Sequence, residues 1–180
     1  TAALVAECTS AIISEVEALK SLVDEFAQFA RLRSPRMLPA DVNQLVADAL
    51  QLYGGVLQHS ALHVEQLLAP HVPPVRLDAE QIRQVVINLV DNAVEALGGP
   101  SAPARPDGAA PTITIRTAHD ARNSVVRLSV SDNGPGVSPA DRDKLFMPYY
   151  STKGRGSGLG LAIVRRIIVE HGGGIEASAV

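Results

Sequence analysis

The sequence is poor in aromatic side chains, with no Trp, three Phe and three Tyr in 180 residues. Any core must therefore be built from Val, Ile, Leu and Ala. A single cysteine, Cys8, excludes an internal disulfide and a multi-cysteine zinc site. It suits a reducing compartment, and a cytoplasmic location is the expectation. No apolar run approaches the roughly 20 residues a membrane helix needs. No secretory signal pattern is visible, so a segment not embedded in a membrane is expected. A strong excess of charge of one sign is missing too. Lys and Arg total 16 against 19 Asp and Glu, and they are dispersed, which argues against nucleic acid as a partner. Of the five His, only His59 and His63 are four apart, and no third His or Cys stands near them, so no metal site is expected there. The length suits one domain, or one domain with an appendage.

The densest signal lies between Asp78 and Leu97. Ile82, Val85, Val86, Leu89, Val90, Ala93, Ala96 and Leu97 recur at three- and four-residue spacing, which gives a helix one broad apolar face. Asp78 suits the N-cap, with Gln81 placed to complete a capping box. Gly98-Gly99-Pro100 ends the helix. Two asparagines interrupt it. Asn88 and Asn92 are four apart, so they lie one turn from each other on one stripe. Glu95 continues that stripe and Asp91 flanks it. Asparagine is a poor helix former with several hydrogen-bonding positions to satisfy. Two solvent-facing amides would explain the pair taken alone. The rest of the chain favours a polar ligand.

Residues 3 to about 33 read as one long helix. Val5, Cys8, Ile12, Val16, Leu19, Val23, Phe26 and Ala30 form a narrow seam close to a heptad pattern. Such a stripe cannot bury itself. It calls for a partner helix, from this chain or from a second copy. Pro35 and Pro39 end it and mark a linker. Asp41 can cap a helix over about 42–54, and short strands are expected at 62–68 and 74–77. Residues 98–111, rich in Gly, Pro and Ala, read as a loop. Thr112–Thr117 and Val126–Ser131 alternate strictly, as half-buried antiparallel strands do, with 121–124 as the hairpin turn.

The second of these strands runs into Asp132-Asn133-Gly134-Pro135-Gly136. Glycines there allow a tight turn and close approach of a ligand, and the carboxylate can accept a hydrogen bond from an amino group. This pattern is weak by itself. Ser138 can cap a short helix over 139–145, which ends at Phe146-Met147-Pro148-Tyr149-Tyr150. Ser151-Thr152-Lys153 follows, and then Gly154, Gly156, Gly158 and Gly160 alternate directly before an apolar helix. A glycine loop feeding a helix N-terminus offers backbone N–H groups to phosphates. There is no P-loop motif.

In this order the Asn-bearing helix, the D-x-G-x-G turn, the F-x-P-Y-x-S-T-K segment and the G-x-G-x-G-L-G-L loop closely resemble the ATP-binding domain of sensor histidine kinases. That family belongs with gyrase, a heat-shock chaperone and the MutL repair protein. The run Leu22 to Arg31, ending at Pro35, looks most like nitrogen-regulation kinases of the NtrY type. The resemblance implies an α+β, two-layer Bergerat-type fold. Its sheet would be mixed but mainly antiparallel, with helices on one face. Residues 1–34 would be the second helix of a dimerisation hairpin, and 35–180 the catalytic domain. ATP and Mg²⁺ would be bound, a homodimer would form through the N-terminal helix, and a response regulator receiver domain would be the downstream partner.

By the same resemblance Asn92 would hold Mg²⁺, and Asn88 would support the phosphates. Asp132 would read the adenine amine beside Gly134 and Gly136. Thr152 and Lys153 would reach the nucleotide, and Gly156, Ser157, Gly158, Leu159 and Gly160 would form the closing lid, with Arg155 a further phosphate contact. The ATPase branches carry a Glu base one turn before the metal-binding Asn; Asn88 stands there in this chain and cannot take a proton. The γ-phosphoryl would go to an imported His. Glu95 occupies a position where many relatives carry Lys. No His is followed by the acidic residue and Pro of an acceptor helix, so a fragment unable to autophosphorylate alone is expected. It would stop one strand short of the family's final hairpin. A regulatory nucleotide-binding module and an ATPase are the other functions these motifs allow.

Overall fold

The computed structural model describes residues 2–30, 33–54, 61–99, 108–151 and 158–178. The elements in order are α1 (Ala2–Ala30), β1 (Leu38–Ala40), α2 (Val42–Gln51), β2 (His63–Leu67), β3 (Val75–Leu77), α3 (Ala79–Ala96), β4 (Thr112–Asp120), β5 (Val125–Asp132), a 3₁₀ turn (Arg142–Lys144) and α4 (Gly160–Glu170). β4 is central in a mixed sheet, parallel to β2 and antiparallel to β5. Ile113 and Ile115 of β4 point into a core shared with Val46, Ala49 and Leu50 of α2 and Val86, Val90 and Ala93 of α3. The helices thus cover one face of the sheet, as expected for an α+β two-layer fold.

α3 is the pivot between two cores. Val86, Val90 and Ala93 face the sheet. Ile82 and Val85 pack with Leu159, Ile163, Val164 and Ile167 at α4. Both contacts lie on one broad arc of the helix, so the remaining arc, with Asn88, Asn92 and Glu95, is left for polar work.

Two expectations change. The segment after Pro35 reads as a linker, yet Leu38–Ala40 is a strand paired antiparallel with β3, with Pro39 opposite Arg76. Proline cannot donate to a ladder, so it is tolerated on a short edge strand. Three residues are also too few to show alternation. The second change concerns the capping box. Asp78 does cap α3, accepting from the Glu80 and Gln81 backbone N–H groups. Gln81 does not reach back: the Asp78 N–H donates to His171 Nε2 at 2.9 Å, and Gln81 Nε2 donates to Arg33 O at 2.8 Å. The end of α4 has claimed the donor that a box would use.

Asp78 also accepts from the Arg36 N–H at 2.8 Å. Burial by itself would raise this carboxyl, but the N–H groups of Arg36 and Gln81, the Arg33 charge and the Glu80 N–H outweigh it and hold the pKa below the ordinary value. A lowered folded-state pKa contributes stability that is complete above the unfolded value of about 3.9 and is lost as pH falls through the folded value. Urea unfolding at stepped pH should therefore show a loss of stability below about pH 4 that is smaller in Asp78→Asn. Equal acid sensitivity of the two proteins would contradict this account.

α1 presents its seam to solvent. Ile12, Val16, Leu19 and Val23 are each more than half exposed, so nothing among the described residues covers them. No helix among the described residues is long and apolar enough to cross a membrane.

Candidate functional site

The asparagine stripe of α3 forms one wall of a broad cleft of about 1970 Å³, lined also by the Asp132–Gly136 turn, Tyr150, Ser151, Gly158 and Gly160. Of the residues singled out from sequence, Asn88, Asn92, Asp132, Gly134, Gly136, Gly158 and Gly160 all reach this lining. Leu159 does not. It is fully buried, packed with Ile163 and Ile167 of α4, so its side chain anchors the helix start beneath the site. Thr152, Lys153, Arg155, Gly156 and Ser157 lie outside the described residues.

The amides are not loose. Asn92 Nδ2 donates to Asn88 O at 2.7 Å, back along the helix. Gln84 Nε2 donates to Asn88 Oδ1 at 3.0 Å, and Asn88 Nδ2 donates to Gly160 O at 3.4 Å. The last bond ties α3 to the first residue of α4. The neighbouring Asp91 accepts at 2.7 Å from the Tyr53 hydroxyl, which also lies 3.2 Å from Ile87 O. Burial and then this carboxylate push the Tyr53 phenol well above its ordinary pKa.

Beside the C-terminal end of α3, the Gly134 N–H donates to Asp132 Oδ1 at 2.9 Å. The turn grips the carboxylate by one oxygen, so Oδ2 is the one it can offer an amino group. A Cβ on Gly134 would fall 2.6 Å from Asp132 Oδ1 and 3.2 Å from Ala96 O. Gly136 has φ +72°, a conformation that disfavours side chains. Asn133 turns the other way and stitches the loop to β4, accepting from the Thr112 N–H at 2.9 Å and donating to Ala110 O.

The expected α-helix over 139–145 is only the 3₁₀ turn. Ser138 gives its hydroxyl to Asp141 at 2.7 Å instead of capping, and the exposed segment has no apolar stripe to stabilise a nucleus. Tyr150 also donates to Asp141. The two hydroxyls, Tyr150 foremost, hold the Asp141 carboxyl below its usual range. Gly158 closes this corner. It has φ +69°, and its carbonyl accepts from the Tyr149 N–H at 3.0 Å.

Residues 77–180 match the family described as "Histidine kinase-, DNA gyrase B-, and HSP90-like ATPase". The chain belongs to this family. The match begins at the end of β3 and takes in the asparagine helix, the Asp132 turn and the glycine loop. Among curated relatives this ATPase-family chain is similar to the nitrogen regulation protein NtrY of Azorhizobium caulinodans. They are 33% identical over 173 residues, which cover 94% of this chain and 21% of the relative. The chain thus spans about a fifth of that relative's length. Full-length ShkA, solved in complex with AMPPNP, is similar with a TM-score of 0.76 and 26% identity over 95% of this chain and 35% of that one. The histidine kinase ThkA, solved in complex with the response regulator protein TrrA, is similar with a TM-score of 0.71 and 26% identity over 90% of this chain and 43% of that one. These similarities extend over nine-tenths or more of this chain.

Sequence reading passed over Gln84, Tyr53 and Tyr150. For Gln84 a signal was available, since it extends the four-residue spacing of Asn88 and Asn92 one turn back. Tyr53 reaches Asp91 across 38 positions, and Tyr150 reaches Asp141 across nine through a loop in which Tyr149 has φ +64°, so no local pattern marks them.

Proposed function

We propose that residues 35–180 are the Mg–ATP-binding catalytic domain of a sensor histidine kinase, and that 1–34 are the second helix of its dimerisation hairpin. The observation that carries this is the pairing of an amide stripe with a carboxylate turn in the lining of one cleft, with Asn88 where an ATPase would need a base. The donor set fits the ligand. Asn88 supplies N–H groups for phosphate oxygens. Asn92, its nitrogen tied to the helix backbone, has in its oxygen the part suited to a cation. Mg²⁺ prefers few protein ligands plus phosphate oxygens and would supply charge neutralisation. Asp132 would take the adenine amine, with Gly134 and Gly136 leaving room for the purine. Lid contacts from Thr152, Lys153, Gly156 and Ser157, with Gly158 and Gly160 at the lid's end, complete the proposal.

Phosphoryl transfer then needs positioning and electrostatics more than covalent chemistry from the protein. An acceptor imidazole nitrogen attacks the γ-phosphorus, the bond to the β,γ-bridging oxygen breaks, and ADP leaves. Onward transfer to a receiver aspartate follows. ThkA's complex with a response regulator supports that partner, and the uncovered α1 seam supports a second copy of this chain as the dimer partner. ATP is a cytoplasmic metabolite, so the domain is placed there.

The test adds a separately made acceptor hairpin and γ-labelled ATP to this chain. Acid-labile label on the hairpin is expected, with little free phosphate released. Tight analogue binding without any phosphohistidine would favour a regulatory module instead. Rapid phosphate release without the hairpin would favour an ATPase.

A further inference from the structure

We infer that Gln84 is a positioning residue for the nucleotide site: it sets which end of the Asn88 amide meets the phosphates. The inference rests on the ATP-site reading above. Its basis is the polarity of a short hydrogen-bond relay. Gly160 O is a backbone carbonyl and can only accept. The Asn88 atom 3.4 Å from it must therefore be Nδ2. The Asn88 oxygen then faces back along α3, where it needs a donor, and Gln84 Nε2 supplies one at 3.0 Å. Gln84 stands one turn behind Asn88, and both side chains are half-buried, so solvent competes weakly for these groups.

The consequence is chemical. With its oxygen held by Gln84, Asn88 turns its two N–H groups toward the cleft and the helix junction. A donor there favours an anionic phosphate, whereas an oxygen would repel it. One N–H serves Gly160 O, and that bond is near the long limit for a hydrogen bond. It is easily exchanged for a charge-assisted bond to phosphate, which is shorter and stronger. Phosphate binding would then loosen the tie between α3 and the start of α4. The glycine loop joins the helix at that point.

Gln84→Glu tests this. A carboxylate cannot donate to Asn88 Oδ1; it attracts the amide nitrogen and turns the amide over. Calorimetry should compare a non-hydrolysable Mg–ATP analogue with adenosine, which lacks phosphates. In Gln84→Glu the preference for the analogue over adenosine should fall roughly tenfold, the scale of one lost hydrogen bond to a charged group. Gln84→Met, which neither donates nor inverts, should lose about threefold. Adenosine affinity should stay at the parent value in both. Equal weakening of analogue and adenosine, or no change in their ratio, would overturn the role assigned to Gln84. A parent chain that binds adenosine but gains nothing from the phosphates, or binds neither, would overturn the ATP-site reading itself.

Discussion

Asn92→Ala is expected to lower the affinity for a Mg–ATP analogue by about a hundredfold, or roughly 2.7 kcal/mol, while leaving the fold intact. The two halves of this result have separate causes. Removing the amide oxygen removes the protein ligand proposed for a cation that takes few protein groups. No cluster of three or more His, Cys, Asp or Glu able to hold a metal exists among the described residues. The stability side partly cancels. The bond from Asn92 Nδ2 to Asn88 O at 2.7 Å is lost, which costs about 1 kcal/mol. Ala is the better helix former by about 0.5 kcal/mol, which offsets part of that. Adenosine affinity should barely change, since the adenine end is the part proposed for Asp132. Calorimetry with both ligands, together with a thermal scan, gives all three numbers. Unaltered analogue affinity would remove Asn92 from the site.

Gly158→Ala is the second large effect, and Gly136→Ala is its control. Both glycines have positive φ, +69° and +72°, so each alanine meets strain of about 1 kcal/mol or more. The surroundings separate them. A Cβ on Gly136 meets nothing within 4 Å, whereas one on Gly158 would lie 2.6 Å from Tyr149 C and 2.8 Å from Tyr150 N and O. Backbone cannot swing aside as a side chain can. The Gly158 variant must break the Tyr149 N–H bond to Gly158 O or push the 146–150 segment outward. We expect about 3 kcal/mol lost in urea unfolding for Gly158→Ala and about 1 for Gly136→Ala. Weaker analogue binding should accompany the first, because this corner joins the Tyr150 wall to the start of α4. Equal losses would mean that dihedral strain alone governs both positions.

The parts of the site that could be read from sequence are those encoded between near neighbours. Asn88 and Asn92 announce themselves because four residues is one helical turn, and Asp132, Gly134 and Gly136 because a strand ends where turn residues begin. Asp78 as a cap needs only the next three residues. What escaped reading involves distant partners. His171 takes the Asp78 N–H from 93 positions away, so the second half of the capping box never forms. β1 exists because β3 offers it a ladder, in spite of Pro39. Leu159 stands among loop glycines in sequence but is drawn into the core by Ile163 and Ile167. Ser138 prefers the Asp141 carboxylate to a helix that is too short to nucleate.

Local order therefore established the family's motifs, the amphipathic α3 and the alternating strands of this protein, since hydrophobic spacing and turn chemistry act over a few residues. Only the folded chain decided which hydrogen-bonding group each polar side chain meets, and so which end of Asn88 faces the cleft. A buried donor or acceptor must find a partner wherever packing brings one, and that choice is made across the whole domain.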